Sequence, residues 1–192
     1  MILASSPVLC VLLGSLLGCA AMLVPETSDP NRKLAQAYSL MAHQRFLPAE
    51  RLIREALDIY TKQGDEVGMA EAHHAFGNFY KNDLYHTKFA ATYKQLGTYD
   101  GTYMKSIDNF ATAKRLFEKN QNDVGVTKSL VGLGNAYSLR GEKDKACENY
   151  NAALRSWEAA RARDPSVRAP ILTQYRDAEE LINAFRQKEG CQ

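Results

Sequence analysis

The sequence predicts an all-α fold, an α-solenoid of about three helical hairpins closed by a C-terminal capping helix. Three observations carry that expectation. No proline interrupts the chain between Pro48 and Pro165, and a proline inside a helix removes a hydrogen bond and clashes with the preceding turn. Alanine is abundant and β-branched residues are few, a composition that favours helices over strands. The same spaced residues also recur along the chain at fixed offsets, the signature of stacked repeats. At 45% apolar and 24% charged residues, the 192-residue chain has a globular balance. Lys and Arg number 24 against 22 Asp and Glu. That excess is too small for a dedicated nucleic-acid binder.

The first element is an uncharged apolar run, VLCVLLGSLLG, at residues 8–18. It is too short to cross a bilayer as a helix, which takes roughly 20 residues. It suits the apolar centre of a secretory signal. The run ends in Leu16-Leu17-Gly18-Cys19, which resembles the lipobox of bacterial lipoproteins. The resemblance implies that residues 1–18 are a signal peptide and that Cys19 is acylated and becomes the first mature residue. Relatives with an aspartate after that cysteine tend to stay at the inner membrane. Ala20 in its place implies the periplasmic face of the bacterial outer membrane. More than one acyl chain on Cys19 gives a stable anchor. Residues 19–30, with Pro25, Pro30 and several small polar residues, read as a tether.

The repeats come next. VGMAEAHHAFGNFY (67–80) aligns without gaps on VGVTKSLVGLGNAY (124–137), an offset of 57. Ala49, Ile53 and Ala56 align on Ser106, Phe110 and Ala113 at 57 again. Ser106, Phe110 and Ala113 align on Ala146, Tyr150 and Ala153 at 40, as Ala37 does on Gly77. Three hairpins of about 40 residues explain every offset if the second carries 17 extra residues between Tyr80 and Ser106. The units run 31–65, 66–121 and 122–164.

The third unit resembles the tetratricopeptide repeat (TPR) family, carried by Leu133-Gly134, Tyr137, Gly141, Ala146, Tyr150 and Ala153. Gly134, Ala146 and Ala153 are small where two helices approach closely. Tyr137 and Tyr150 fill the space between them. Gly141 suits a left-handed cap. The second unit matches at Phe76-Gly77, Tyr80, Ser106, Phe110 and Ala113, and the first at Ala37, Leu40, Ala49, Ile53 and Ala56. The turn of the first unit, HQRFLP, has no glycine, and Pro48 suits a helix start. After RARDPSVRAP, residues 165–192 hold the last element. Ile171, Tyr175, Ala178, Leu181, Ile182 and Phe185 keep a helical period there. Asp177, Glu179, Glu180, Arg186 and Lys188 suit the outer face of a cap, which a solenoid needs over its last apolar face.

The cysteines left after removal of the signal and acylation of Cys19 are Cys147 and Cys191. An antiparallel return of the chain along the cap brings the two together. An oxidising periplasm favours a bridge. Two free thiols, with Cys147 partly buried, are the other outcome.

Nothing in the sequence points to catalysis, a metal or a cofactor. His73 and His74 are adjacent, so on a helix they point about 100° apart and do not share a metal easily. Neither a phosphate-binding glycine loop nor a nucleophile elbow is present. The first helices of TPR-like units line a concave groove. Here that face contains Leu34, Tyr38 and Met41, then Glu71, His74, Asn78 and Lys81, then Lys128, Val131, Asn135 and Ser138. In related scaffolds an asparagine at the place of Asn78 and Asn135 hydrogen-bonds the backbone of a bound peptide, with its amide giving both donors and an acceptor. Bonds within the repeat are the alternative. Relatives that clamp a terminal carboxylate surround it with several cations. Lys81 and Lys128 are the candidates here. The extra segment between the helices of unit two is rich in tyrosine, including Tyr85, Tyr93 and Tyr99. Such density suits either an interface or a self-packed extension.

These features lead to one functional expectation. The chain is a membrane-anchored TPR scaffold that binds a protein or peptide partner in the cell envelope, with assembly of a pilus or secretion machine as one setting. An immunity or inhibitor lipoprotein that blocks a toxic envelope enzyme is the alternative. A neighbouring gene for a pilus or secretion channel, or for a toxin, would separate them.

Overall fold

The computed structural model describes residues 26–168 and 175–192. Cys19, the expected signal peptide (residues 1–18) and most of the expected tether (19–30) lie outside the described residues. Nine helices and no strands occur among those described. Helices α1 (Pro30–Ala42) and α2 (Phe46–Gln63) form the first hairpin. The second is α3 (Glu66–Lys81) with α6 (Met104–Lys119), and the third α7 (Asp123–Leu139) with α8 (Lys143–Arg163). Two short helices, α4 (Asp83–His86) and α5 (Ala90–Gln95), occupy the extra segment of the second hairpin. The last helix, α9 (Ala178–Glu189), packs on α8.

The hairpins stack in series. Each outer helix packs against its own inner helix and against the inner helix that follows, α2 on α1 and α3, α6 on α3 and α7. The inner helices α1, α3 and α7 touch in sequence and form the inner layer. Five glycines allow this close packing. A Cβ on Gly77 would lie 2.6 Å from the Phe110 ring, and one on Gly134 2.4 Å from the Tyr150 ring. These two glycines seat the outer helix of their own hairpin. Gly68 and Gly125 make room in the same way for Tyr60 and Phe117, on the outer helix of the preceding hairpin. Gly132 takes the other side of Phe110. In the first hairpin, Ala37 stands where the others have glycine and Ile53 where they have a ring, and both are fully buried. A smaller partner there leaves room for one methyl.

Helix starts repeat as well. Asp65 and Asn122, one repeat apart, cap α3 and α7 by accepting from the amides of Gly68 and Gly125. Such a cap satisfies one of the otherwise unpaired amides of the first turn. The glycine-free first turn is closed by Gln44, which takes the left-handed conformation at φ 58°. α2 then begins at Phe46, two residues before Pro48.

The cap is shorter than its apolar period suggests. Asp177 sits in an extended conformation and accepts from the Glu180 amide, so α9 starts at Ala178. Tyr175 therefore precedes the helix, Ile171 lies outside the described residues, and Asp177 is a cap residue and not part of an outer face. α9 runs antiparallel to α8. Glu179 pairs with Arg161 near one end, and Arg186 donates to Asn151 toward the other. This direction delivers Cys191 to Cys147, and the two form a disulfide with 5.3 Å between Cα atoms.

Candidate functional site

The inner helices and α9 surround a concave groove. Its deeper part, roughly 580 Å³, runs along α3 and α7 and is mostly apolar. Tyr38 of α1, with His74, Asn78 and Lys81 of α3, borders it on one side. Lys128 and Asn135 of α7 border it on the other. A shallower part of roughly 740 Å³ continues toward the C-terminal ends of these helices, past Met41, Ser138 and Leu139. Tyr38, Asn78, Lys81 and Asn135 line both parts. Ten of the eleven groove residues that the repeat pattern predicts therefore line this space; Leu34 does not, and packs into the core of the first hairpin instead.

The two asparagines use opposite ends of their amides. Asn78 Nδ2 donates to the His74 carbonyl at 3.2 Å and to the Tyr38 hydroxyl at 3.5 Å. A carbonyl can only accept, and this fixes the amide's orientation. Asn78 Oδ1 makes no hydrogen bond among the described residues. At Asn135 the oxygen is used instead, accepting from the Tyr150 hydroxyl at 2.8 Å, and Nδ2 has no partner among the described residues. The difference follows from the outer helices. The residue at the place of Tyr150 in the second hairpin is Phe110, which has no hydroxyl to give. Each amide therefore has one end bonded within the repeats and the other without a partner among the described residues.

The charged residues are equally unequal. Lys128 is gripped by both carboxylate oxygens of Glu71 at 2.5 Å and lies 4.8 Å above the Phe117 ring. Glu71 and Lys128 are the same repeat position in successive units, so the stacking itself makes this pair. Lys81 makes no hydrogen bond or ion pair among the described residues. Burial in the groove wall pulls the pKa of its ammonium below the ordinary lysine value. The His74 imidazole is half-buried, with its ring against Phe110 at 5.3 Å. Desolvation first, then the Lys128 and Lys81 charges, hold its pKa down at about 3. It is neutral at any physiological pH.

The tyrosines of the extra segment are placed differently. Tyr85 and Tyr93 are 0% and 1% exposed, so they are not partner-binding residues on an open surface. Their rings lie 4.8 Å apart and continue inward to Phe79 and Phe46. Tyr99 stacks on Tyr85 at 5.5 Å and is partly covered. The Tyr85 hydroxyl donates to the Thr98 carbonyl and accepts from the Asp100 amide. Tyr85 thus has the partnered hydroxyl that buried tyrosines usually find, whereas the Tyr93 hydroxyl is buried without a partner among the described residues. The segment is the self-packed extension.

The repeat pattern does not identify one wall of the groove. Leu181 and Ile182 of α9, with Trp157 of α8, close the deep part, and Phe185 the shallow part. The helical period of the cap was the available signal. It carries more apolar positions than covering one helix requires. Among the described residues no helix is long and apolar enough to cross a membrane. Comparison of the chain with protein-family models, curated proteins and solved structures finds no match.

Proposed function

We propose that this protein is a non-catalytic, lipid-anchored scaffold of the TPR type, which binds an extended segment of a protein partner at the periplasmic face of the outer membrane. The observation that carries the binding role is the pair of half-used asparagine amides in one groove, an acceptor at Asn78 and a donor at Asn135. A peptide backbone presents both complements, an N–H and a C=O, at every residue. The apolar floor beside them offers the side-chain burial that gives such a contact affinity. Anchoring through Cys19 would raise the groove's effective concentration near membrane-bound partners. The lipobox-like Leu16-Leu17-Gly18-Cys19 supports the anchor.

A photoreactive residue at Ser138, which lines the groove, tests the binding role in cells. The expected result is a discrete adduct that disappears when Asn78 and Asn135 are both changed to Ala. The same probe at Leu96, exposed on the extra segment, should give none. An adduct at Leu96 that survives the double substitution would move the partner surface off the groove. Cys19→Ala tests the anchor. The variant should stay at precursor size and leave the outer-membrane fraction.

A further inference from the structure

We propose that the edge of the solenoid formed by the turns within its hairpins docks on an anionic lipid surface, with separate leucine and methionine side chains entering the headgroup layer between unpaired lysines. This is a second surface, distinct from the groove.

The edge is continuous. It consists of the first turn with the start of α2 (43–47), the extra segment with the start of α6 (82–105), the end of α7 with the start of α8 (139–146), and the end of α9 (186–190). Lys88 donates to the Gln44 side chain at 2.7 Å and Arg140 to the Thr102 carbonyl at 2.6 Å, so the extra segment bridges the first and third turns. The Ser138 hydroxyl donates to Glu189, and the disulfide ties Cys191 to α8, which adds the end of α9.

Positive charge and apolar exposure coincide on this edge. Its four stretches hold nine Lys and Arg against five Asp and Glu. The stretches at the opposite edge, 26–33, 58–67, 115–124, 158–168 and 175–181, hold nine against twelve. Pairing deepens the difference. On the opposite edge Lys119 pairs with Glu66, Arg161 with Glu179 and Arg163 with Asp123. On the basic edge Glu142 takes Arg140 and Lys145, while Lys88, Lys94, Lys143 and Lys188 are exposed and make no ion pair among the described residues. Six large apolar side chains are exposed among the described residues, and four stand on this edge: Leu96 at 57%, Leu139 at 51%, Leu47 at 47% and Met104 at 43%.

A lipid surface fits these features better than a folded partner does. The four apolar side chains come from separate segments and stand as single wedges in a rim of cations. A fluid headgroup layer accepts scattered wedges and diffuse positive charge, whereas a folded partner would have to match each one. Lys94 lies 5.1 Å over the Tyr99 ring and Lys88 5.8 Å over the Phe89 ring. Stems laid along rings with the ammonium in water are how lysine sits at an interface. An anchor at Cys19 permits this orientation. Residues 19–29 reach at most roughly 36 Å when extended, and α1 spans about 20 Å, so the tether can pass the length of the hairpin. The shallow part of the groove includes Leu139, so docking brings that end of the groove to the membrane.

The experiment uses the full chain in vesicles of phosphatidylcholine with brominated acyl chains, with or without phosphatidylglycerol. The chain has one tryptophan, Trp157, which is 2% exposed, so Leu96→Trp adds an exposed reporter against a buried background. Its emission should be quenched on vesicles that contain phosphatidylglycerol, and much less on phosphatidylcholine alone or in high salt. Val67→Trp, exposed on the opposite edge, should stay unquenched on both. Adding Lys88→Gln, Lys94→Gln and Lys143→Gln to the Leu96→Trp chain should lower the ratio of docked to undocked protein about fivefold per lysine. All five substituted side chains are exposed, so the variants should melt as the parent does. Equal quenching of the two reporters, or quenching that ignores phosphatidylglycerol and the three lysines, overturns the proposal. A Leu96→Trp reporter that stays unquenched on every vesicle also overturns it, and an emission shift with soluble polyglutamate would then assign the edge to an acidic protein.

Discussion

The concave groove and the extra segment of the second hairpin carry equally suggestive residues, yet the fold uses them in opposite ways. The segment holds Tyr85, Tyr93 and Tyr99, the residue type most typical of interfaces, and turns them inward onto Phe79 and Phe46. The groove has fewer aromatic side chains and leaves its polar groups half used, at Asn78, Asn135 and Lys81. The segment has no long helix of its own to fill space, since α4 and α5 contain four and six residues. Large rings supply its core instead, with the Tyr85 hydroxyl bonded to the Thr98 carbonyl and the Asp100 amide and the Tyr93 hydroxyl buried without a partner among the described residues. Interface-like composition and an interface are therefore different things. What separates them is whether the side chains are sealed in a core, as Tyr85 and Tyr93 are, or border open space, as Asn78, Asn135 and Lys81 do.

Four measurements would break or sharpen that contrast. Tyr85→Ala should have the largest effect, because it removes a fully buried ring. A loss of roughly 3–5 kcal/mol is expected in denaturant unfolding, with the affinity of the folded protein for a groove-selected peptide unchanged. Replacing residues 85–99 with a Gly-Ser turn should likewise cost cooperative melting. A Tyr85→Ala protein of normal stability that no longer binds peptide would make the segment the partner surface.

The disulfide tests the groove from the other end. Cys147 and Cys191 are 44 positions apart, and closing a loop of that size constrains the unfolded chain. Cys147→Ser should lower stability by about 2–4 kcal/mol. Because the bridge fixes the end of α9, and α9 forms a groove wall, peptide affinity should fall as well. Binding unaffected by loss of the bridge would show that α9 holds its place through Leu181, Ile182 and Phe185 alone.

The smallest effect concerns pH. The folded pKa of His74, about 3, lies below its ordinary value of 6.5. Between these values the unfolded chain binds a proton that the native groove refuses. The His74 contribution is thus fully present above pH 6.5 and declines as pH falls toward 3. From pH 6.5 to 5 the loss should stay below about 2 kcal/mol, since the ring is half-buried and partly screened. His74→Gln should flatten the stability profile across that range, above where most carboxylates titrate. An unchanged slope would place the imidazole in contact with solvent and weaken the account of a desolvated groove beside Lys81.

Much of this arrangement is legible in one dimension. The offsets of 57 and 40 locate the hairpins and the extra segment because each unit must fit a large side chain against a small one. Gly77 with Phe110 and Gly134 with Tyr150 are that rule in sequence form. Most groove positions follow too, since the residues that do not pack must face the other way on an inner helix; Leu34 is the exception, buried in the first hairpin. The antiparallel return of the cap brings Cys147 and Cys191 together, which leaves a bridge or two free thiols open, and the structure joins them.

The sequence by itself determined the order of the long helices and most of the open face of each inner helix, because helical period and size complementarity are local and repeat. Only the tertiary structure decided what the open faces do. Whether a tyrosine of the extra segment points to solvent or into a core depends on space left by α2 and α3, which no spacing records. Whether Lys128 is free depends on Glu71, one repeat away and brought near only by stacking. Which end of each asparagine remains available depends on a hydroxyl, present on Tyr150 and absent from Phe110, on a helix packed behind it. Hydrogen-bond satisfaction is a property of neighbours in space, and it is what leaves the acceptor, the donor and the ammonium facing a single groove.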